Sequence, residues 1–452
     1  MMVSFKPPET KCLLIKGGTI ITMNPSEEII KGGYILIEKN RIIEVGEIQK
    51  APPDHTVGEI IDVGDCLVMP GLINTHTHAA MSCLRGLADD LPLKSWLEKY
   101  IFPVEARHVN PDFVYYGTLL AGLEMIRSGT TCFCDGYFFE EEAAKAALEL
   151  GIRAVLGEGI VDSPTPDVPD AEMNIENAKK FLEQTPSTSL ITLTLFCHSP
   201  YTCNPETLRK ANELCQHYSV PLLIHLAETE TEVKEIETRY QASPVQHLLN
   251  LGLLDHETIA AHCVWISPED LVLLEKKEVR IAHCPESNMK LASGVAPVPE
   301  FLSLGIPVGL GTDGCASNNN LDLMSEMDTA AKLHKLVRKD PAVMDVKTIL
   351  RMATIGGAEV LGLQDEVGSL EPGKKADIII LNWNQPHLTP VYNYYSHLVY
   401  SASGHDVQSV FVDGKMIMDN RRILTVNEKE VINEVKRIGR KIRGSISLPQ
   451  ER

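Results

Sequence analysis

No stretch of the 452-residue sequence approaches the roughly 18 uncharged apolar residues that a membrane span needs. Segment 1–11 carries two adjacent prolines and no apolar run of the kind that forms the core of an export signal. A cytoplasmic protein with no membrane partner is therefore expected. Positive charge is scarce: 42 Lys and Arg stand against 61 Asp and Glu, a formal charge of -19. Such a surface repels a phosphate backbone and argues against nucleic acid as a partner. The 11 cysteines form no C-x-x-C pair and are scattered among ordinary hydrophobic runs, which fits reduced core thiols and not a disulfide frame. No G-x-G-x-x-G follows the first strand of the alternating region and no G-x-x-x-x-G-K-[ST] occurs anywhere, so a nucleotide cofactor has no evident cradle. Low-complexity tracts and repeats of 20–50 residues are missing too, which excludes a solenoid.

What is present is an alternation. Residues 12–68 read as short strands and turns, and the same texture returns late in ADIIILNW and VQSVFVDGKMIMDNRRIL, where Asp413-Gly414 is a hairpin signal between apolar runs. Between them, short apolar runs recur at GLINTH, TTCFCD, RAVLGEG, LITLTLFC, VPLLIH, TIAAH, VRIAH and PVGLGT. Helical stretches such as EEAAKAALELG, with Gly151 in the usual C-cap place, and PETLRKANELCQHY separate them. Eight β-then-α units over about 290 residues match a (β/α)8 TIM-type barrel. A doubly wound open sheet shares the alternation but lacks its nucleotide motif here. The α/β fold expected is that barrel over 69–363, with a small β-sandwich domain built from both chain ends, 1–68 and 364–452, the latter ending in a helix.

The chain holds 15 histidines, and His76, His78, His198, His225, His262 and His283 fall at or just beyond predicted strand ends. In a barrel those ends share one mouth, where active sites sit. In an extended H-x-H both imidazoles point to one side, so His76 and His78 can share a cation. His225 ends VPLLIH and Asp313 follows PVGLGT, bringing a third imidazole and a carboxylate to the same end. Three imidazoles and one carboxylate suit one divalent transition metal per chain, Zn²⁺ first and Fe²⁺ as the alternative. The ligands are dispersed along the chain, unlike a closed structural knot, so a catalytic ion is expected. Glu228, in HLAE, is placed to carry protons, although a first-turn helix glutamate would look the same. His262 could polarise the reacting centre or be a core histidine bonded to backbone. His283 is left out of the site.

These motifs resemble the metal-dependent amidohydrolase superfamily, in its adenosine-type aminohydrolase branch. The resemblance runs over nearly the whole chain, through PGLINTHTH, HLAE, AHC, HCPESNMKLASG, GTDGCASNNNLD and EPGKKADIIILN. The segment LRGLADDLPLKSWLEKYIFPVEA at 84–106 is most similar to deaminases of 5′-modified adenosines of the methylthioadenosine and S-adenosylhomocysteine type. The resemblance implies a barrel with a flanking β-sandwich and makes His76, His78, His225 and Asp313 the metal ligands. It implies that Asp313 also takes a proton from water, that Glu228 is the proton shuttle and that His262 lies near the nucleophile. It adds Glu105 as the group that accepts hydrogen bonds from ribose hydroxyls, and His198 as a nucleoside contact. A purine nucleoside substrate and a homo-oligomer are implied as well. Trp96, Leu84 and Met81 are candidate lid residues. Triazine hydrolases and guanine- or cytosine-type deaminases resemble the chain in the same metal motifs and remain the alternative. So does a non-catalytic metal-binding module on a degenerate barrel. Cys315 stands where a small residue is expected, either filling space or touching specificity. No arginine lies between Arg153 and Arg209, so no residue is assigned there to the carboxylate of a homocysteine tail.

Overall fold

The computed structural model describes residues 12–54 and 57–445, so segment 1–11 lies outside the described residues. Eight parallel strands form one sheet in strict chain order: β1 Leu72–Thr77, β2 Thr130–Tyr137, β3 Arg153–Ile160, β4 Ile191–Cys197, β5 Leu222–Leu226, β6 Thr258–His262, β7 Arg280–His283 and β8 Val308–Leu310. Each overlaps one of the apolar runs read from the sequence. Their residues are buried almost without exception, as expected of parallel strands covered on both faces.

The sheet curls until β8 meets β1, and the seam is closed by hydrogen bonds from loop and side-chain groups. Thr75 Oγ1 donates to Leu310 O at 2.9 Å, Asn74 Nδ2 to Thr312 Oγ1 at 2.8 Å, and Asp313 N to His76 O at 3.0 Å. The last of these ties the chain just past β8 to the strand carrying the H-x-H motif. At the opposite end of the barrel the helix Ile355–Leu361 contributes Val360 and Leu361 to an apolar cluster with Ile73, Val155, Leu223 and Ile259. One mouth is sealed by packing, which leaves the C-terminal mouth for chemistry.

Local signals account for the connecting helices. Asn204 Oδ1 accepts from the amides of Glu206 and Thr207 to cap Pro205–Tyr218, and Ser267 with Asp270 forms a capping box on Pro268–Lys276. Gly151, at φ 74°, ends Glu140–Leu150 in the left-handed conformation its position predicts.

The two chain ends build one sandwich. Its seven-stranded sheet runs, in spatial order, Arg422–Ile423, Lys415–Asp419, Val407–Val412, Ile378–Leu381, Leu67–Pro70, Thr19–Ile21 and Ile29–Lys31. At its centre Ile378–Leu381 pairs antiparallel with Leu67–Pro70, a late strand against an early one. A four-stranded sheet from the N-terminal part, led by Gly33–Glu38 and Leu13–Lys16, packs Ile15, Ile35 and Ile37 against Ile378 and Phe411. The Asp413-Gly414 hairpin forms as read, with both residues at positive φ in a two-residue turn.

Barrel and sandwich are joined by a buried ion pair. Arg153, opening β3, donates through Nε and Nη2 to the two oxygens of Asp377 at 2.9 and 3.0 Å. Removing one partner of such a pair strands the other charge in a dry interface and costs about 3–5 kcal/mol. Asp377→Ala is therefore expected to lower the thermal unfolding midpoint far more than truncation of an exposed pair such as Lys210 and Glu206. Differential scanning calorimetry of the two variants checks this.

Candidate active site

The strand ends and the loops just beyond them bring the predicted histidines, Glu228 and Asp313 to the open mouth, while Glu105 comes from a helix. His76 lies within β1 and His78 just beyond it; His225 is the penultimate residue of β5, His262 ends β6, and His198 follows β4. Asp313 lies three residues past β8. Ala227, His262, Cys263 and Asp313 adopt positive φ between 47° and 71°. Left-handed backbone in non-glycine residues costs of order 1–3 kcal/mol each and persists where the surroundings dictate it. Four such residues around one mouth mark where conformation serves something other than stability.

His76, His78 and His225 each offer a ligand atom within 4.8 Å of the others, and so do His76, His262 and Asp313. His76 Nε2 and His225 Nε2 are 3.1 Å apart, while Asp313 Oδ1 is 3.6 Å from His76 Nε2 and 3.3 Å from His78 Nε2. Four donors at ~2.0–2.1 Å from a tetrahedral zinc ion would be separated by roughly 3.3 Å. These three separations are of that size, and the donor chemistry of three imidazoles and a carboxylate fits a divalent transition metal.

The supporting groups set the state of each donor. His78 Nδ1 donates to Gly136 O at 2.6 Å, which leaves Nε2 as the lone-pair nitrogen facing the cluster. Burial holds His76 and His225 well below the usual histidine range, helped by neighbouring imidazoles, so both stay neutral. Burial alone would raise Asp313, but facing His78, His262 and His76 and the Ser287 hydroxyl outweigh it and keep the carboxylate below the ordinary range. Ser287 and Ser317 donate to its Oδ2 at 2.6 and 2.8 Å, and Gly314 N donates to Oδ1 at 2.8 Å.

Glu228 is buried and held in place from behind. The amides of Ala227 and Glu228 both donate to the Glu232 carboxylate, at 2.9 and 2.8 Å, while Ser293 Oγ donates to Glu228 Oε1 at 3.3 Å. Burial raises its pKa, opposed chiefly by His262, whose Nε2 lies 4.0 Å from Glu228 Oε2. A carboxyl lifted toward the working pH is suited to giving and taking protons. His262 Nδ1 bonds Asn288 Oδ1 at 2.9 Å, which turns Nε2 to the site; burial lowers its pKa, but Glu228 and Asp313 raise it by more.

A cavity opens over the cluster, lined by Leu93, Trp96, Leu97, Phe102, Phe196, Tyr201 and Leu291 among others. Glu105, on the helix Phe102–His108, is buried in its wall, and Tyr137 OH donates to Glu105 Oε1 at 2.6 Å. Burial raises the Glu105 pKa, and the Tyr137 hydroxyl and His78 pull it back. His198 lines the same cavity with Nδ1 bonded to Thr202 Oγ1 at 2.9 Å; burial pushes it down to about 4, so it stays neutral. Met81 and Trp96 line the cavity as read, but Leu84 does not: its side chain packs in the core at 1% exposure. Cys315 is likewise buried and does not line the cavity, and burial pushes its thiol up to about 12, so it fills space. The sequence reading missed Tyr137, Tyr201, Asn288 and Glu232. Only Glu232 carried a signal: with Thr229 it forms the T-x-x-E pattern of a helix start, yet its carboxylate reaches past the cap to the amides beside Glu228.

With this geometry in place, residues 67–417 match the model of the Amidohydrolase family. The chain belongs to the amidohydrolase family. It is 48% identical over 431 residues to the 5-methylthioadenosine/S-adenosylhomocysteine deaminase of Syntrophobacter fumaroxidans, which covers 95% of this chain and 98% of that one. It is 45% identical to the 5′-deoxyadenosine deaminase of Methanosarcina acetivorans, over 94% and 96% of the two chains. Among solved structures, a zinc-bound adenosine deaminase from Xanthomonas campestris superposes with a TM-score of 0.93 at 35% identity, covering 97% of this chain and all of that one. A triazine hydrolase from Arthrobacter aurescens superposes at 0.88 with 24% identity over 95% of this chain and 99% of that one, a likeness of fold alone. The family is one of metal-dependent hydrolases, and this chain is a hydrolytic aminohydrolase with the barrel and added sheet the family resemblance implied. Among the described residues no helix is long and apolar enough to cross a membrane.

Proposed function

We propose that the chain deaminates 5′-modified adenosines, taking up water and releasing ammonia and the inosine analogue. The observation that carries this reading is the presence in one cavity of the imidazole and carboxylate cluster and of the buried Glu105 and Tyr137 pair. A bare base or a triazine lacks the pair of neighbouring hydroxyls that a buried carboxylate on the cavity wall can accept from. A ribose offers two hydroxyl donors, and with Oε1 held by Tyr137 the Glu105 carboxylate still has acceptor capacity for them. The names of the full-length relatives support the same substrate class.

His76, His78, His225 and Asp313 would hold the metal, and zinc is the ion proposed. When bound, such an ion supplies Lewis acidity that brings the pKa of water to about 7. Asp313 Oδ1 takes a proton from the attacking water, and Glu228 Oε2 delivers one to the ring nitrogen beside C6. Glu228, left ionised, then takes the remaining proton of the added hydroxyl as the C6 carbonyl forms, and Asp313 passes its proton to the amine, which leaves as ammonia with the electron pair of the broken C–N bond. His262, fixed by Asn288, orients the nucleophile. His198 stays neutral and hydrogen-bonds the nucleoside, while Trp96 and Phe102 exclude water around the ring.

Glu105→Ala tests the reading. The variant is expected to raise KM for methylthioadenosine about tenfold or more in an ammonia-release assay, with kcat changed less. Any release from free adenine should be indifferent to the change. Equal effects on riboside and base would remove Glu105 from ribose recognition.

A further inference from the structure

The wall that carries Glu105 and His198 has a second side. Phe102, Glu105, Phe138, Val161, His198 and Tyr201 line both the buried cavity and an outer groove open to solvent, so the two adjoin along the wall that carries Glu105. Arg239, near the C-terminal end of the helix Glu230–Tyr240, lines the outer groove. Among the described residues its guanidinium makes no ion pair; it lies 5.3 Å from the centre of the Tyr240 ring. Besides Glu105, two carboxylates line the same groove, those of Glu98 and Asp162. Asp162 is engaged by Thr207 Oγ1 at 2.6 Å and by the Asn204 amide, whereas Glu98 has no ion pair among the described residues.

Among the described residues the groove thus offers one cation and one anion without an ion-pair partner, and both line the groove without lining the inner cavity. That is the complement of an α-amino acid, which carries both charges on one carbon. Lys94 is the other cation nearby, but it lines a different opening that does not include Glu105 or His198, and it lies 3.7 Å from Glu235. The loop after β3, which lines the groove through residues 161–166, contributes no basic side chain.

Resting on the deaminase reading above, we infer that this groove receives the zwitterionic amino acid tail of a 5′-thioadenosine, with Arg239 on its carboxylate and Glu98 on its ammonium group. Arg239 is a specificity-determining residue for the long 5′ substituent. An arginine fork binds a carboxylate through two parallel N–H bonds, but at an exposed rim such a pair is worth little, up to about fivefold in affinity. Reversing the charge costs more, because it adds repulsion to the lost attraction.

The test measures kcat/KM for S-adenosylhomocysteine and for methylthioadenosine with the metal-replete wild type, Arg239→Gln and Arg239→Glu. Calorimetric binding of both nucleosides is measured alongside. The ratio of S-adenosylhomocysteine to methylthioadenosine efficiency is expected to fall about three- to fivefold in R239Q and more than tenfold in R239E, with the loss in KM. Removing the carboxylate from the ligand, as in the 5′-aminopropylthio analogue, should abolish the difference between wild type and R239Q. A ratio unchanged in both variants overturns the inference. Wild type that binds S-adenosylhomocysteine and loses that binding in R239E, yet deaminates neither nucleoside, sustains the groove while overturning the deaminase reading.

Discussion

Glu228→Gln is expected to lower kcat for methylthioadenosine by about 10³-fold while KM moves by less than about threefold. Glutamine keeps the size of the side chain and an oxygen for the Ser293 hydroxyl, 3.3 Å away, but can neither deliver nor accept the proton that the reaction moves. Its carboxyl is the one raised by burial while facing His262 across 4.0 Å, a setting that favours exchange of a proton over permanent ionisation. If Glu228 only served the positive end of the following helix, the variant would lose a few tenths of a kcal/mol of stability and retain its turnover. Steady-state kinetics with a thermal melt of the same preparation separates the two outcomes.

Asp313→Asn is expected to be as severe, with a different signature. The carboxylate lies 3.3 Å from His78 Nε2 and 3.6 Å from His76 Nε2, and accepts three hydrogen bonds, from Ser287, Ser317 and the Gly314 amide. An amide in its place sets an NH2 group against at least one of those donors, and one unmet buried group costs about 1–3 kcal/mol. It also supplies no negative charge for a cation and no base for water. The expected result is a loss of at least 10³-fold in kcat/KM together with less metal retained per chain by atomic emission analysis. Full metal occupancy with near-normal turnover would remove Asp313 from both roles.

The parts of this site that could be read from sequence share one property: their chemistry is encoded at the end of a local pattern. A run of buried apolar residues closing on histidine defines both a barrel strand and its functional tip, so His225 and His262 announce themselves, and H-x-H at period two does the same for His76 and His78. Gly151 and Asp413-Gly414 were legible because each adopts a backbone conformation that few residues tolerate. The residues that escaped act across the chain. Tyr137 reaches Glu105 over 32 positions, and the helix Phe102–His108 turns Glu105 inward although FPVEARH reads as a surface helix. Family resemblance supplied Glu105; periodicity alone would have exposed it. Leu84 fails for the converse reason. It lies close in sequence to the lid segment, but the turn Ala79–Leu84 folds it against Pro111–Arg127 and into the core. Arg239 sits on the exposed part of an otherwise ordinary amphipathic helix, where nothing local distinguishes it from a solubilising charge until the groove beside it is seen.

The central claim is that one cavity unites a metal-dependent aminohydrolase centre with recognition of a 5′-modified adenosine. The most direct measurement is kcat/KM for ammonia release by the metal-replete protein across 5′-deoxyadenosine, methylthioadenosine, S-adenosylhomocysteine, adenosine, guanine and an aminotriazine. The account predicts that the three 5′-modified adenosines are turned over with the highest efficiencies, and that guanine and the triazine are turned over at least 10²-fold less well. Guanine or the triazine as the best substrate, or no conversion of any adenosine by protein carrying about one metal ion per chain, would contradict it.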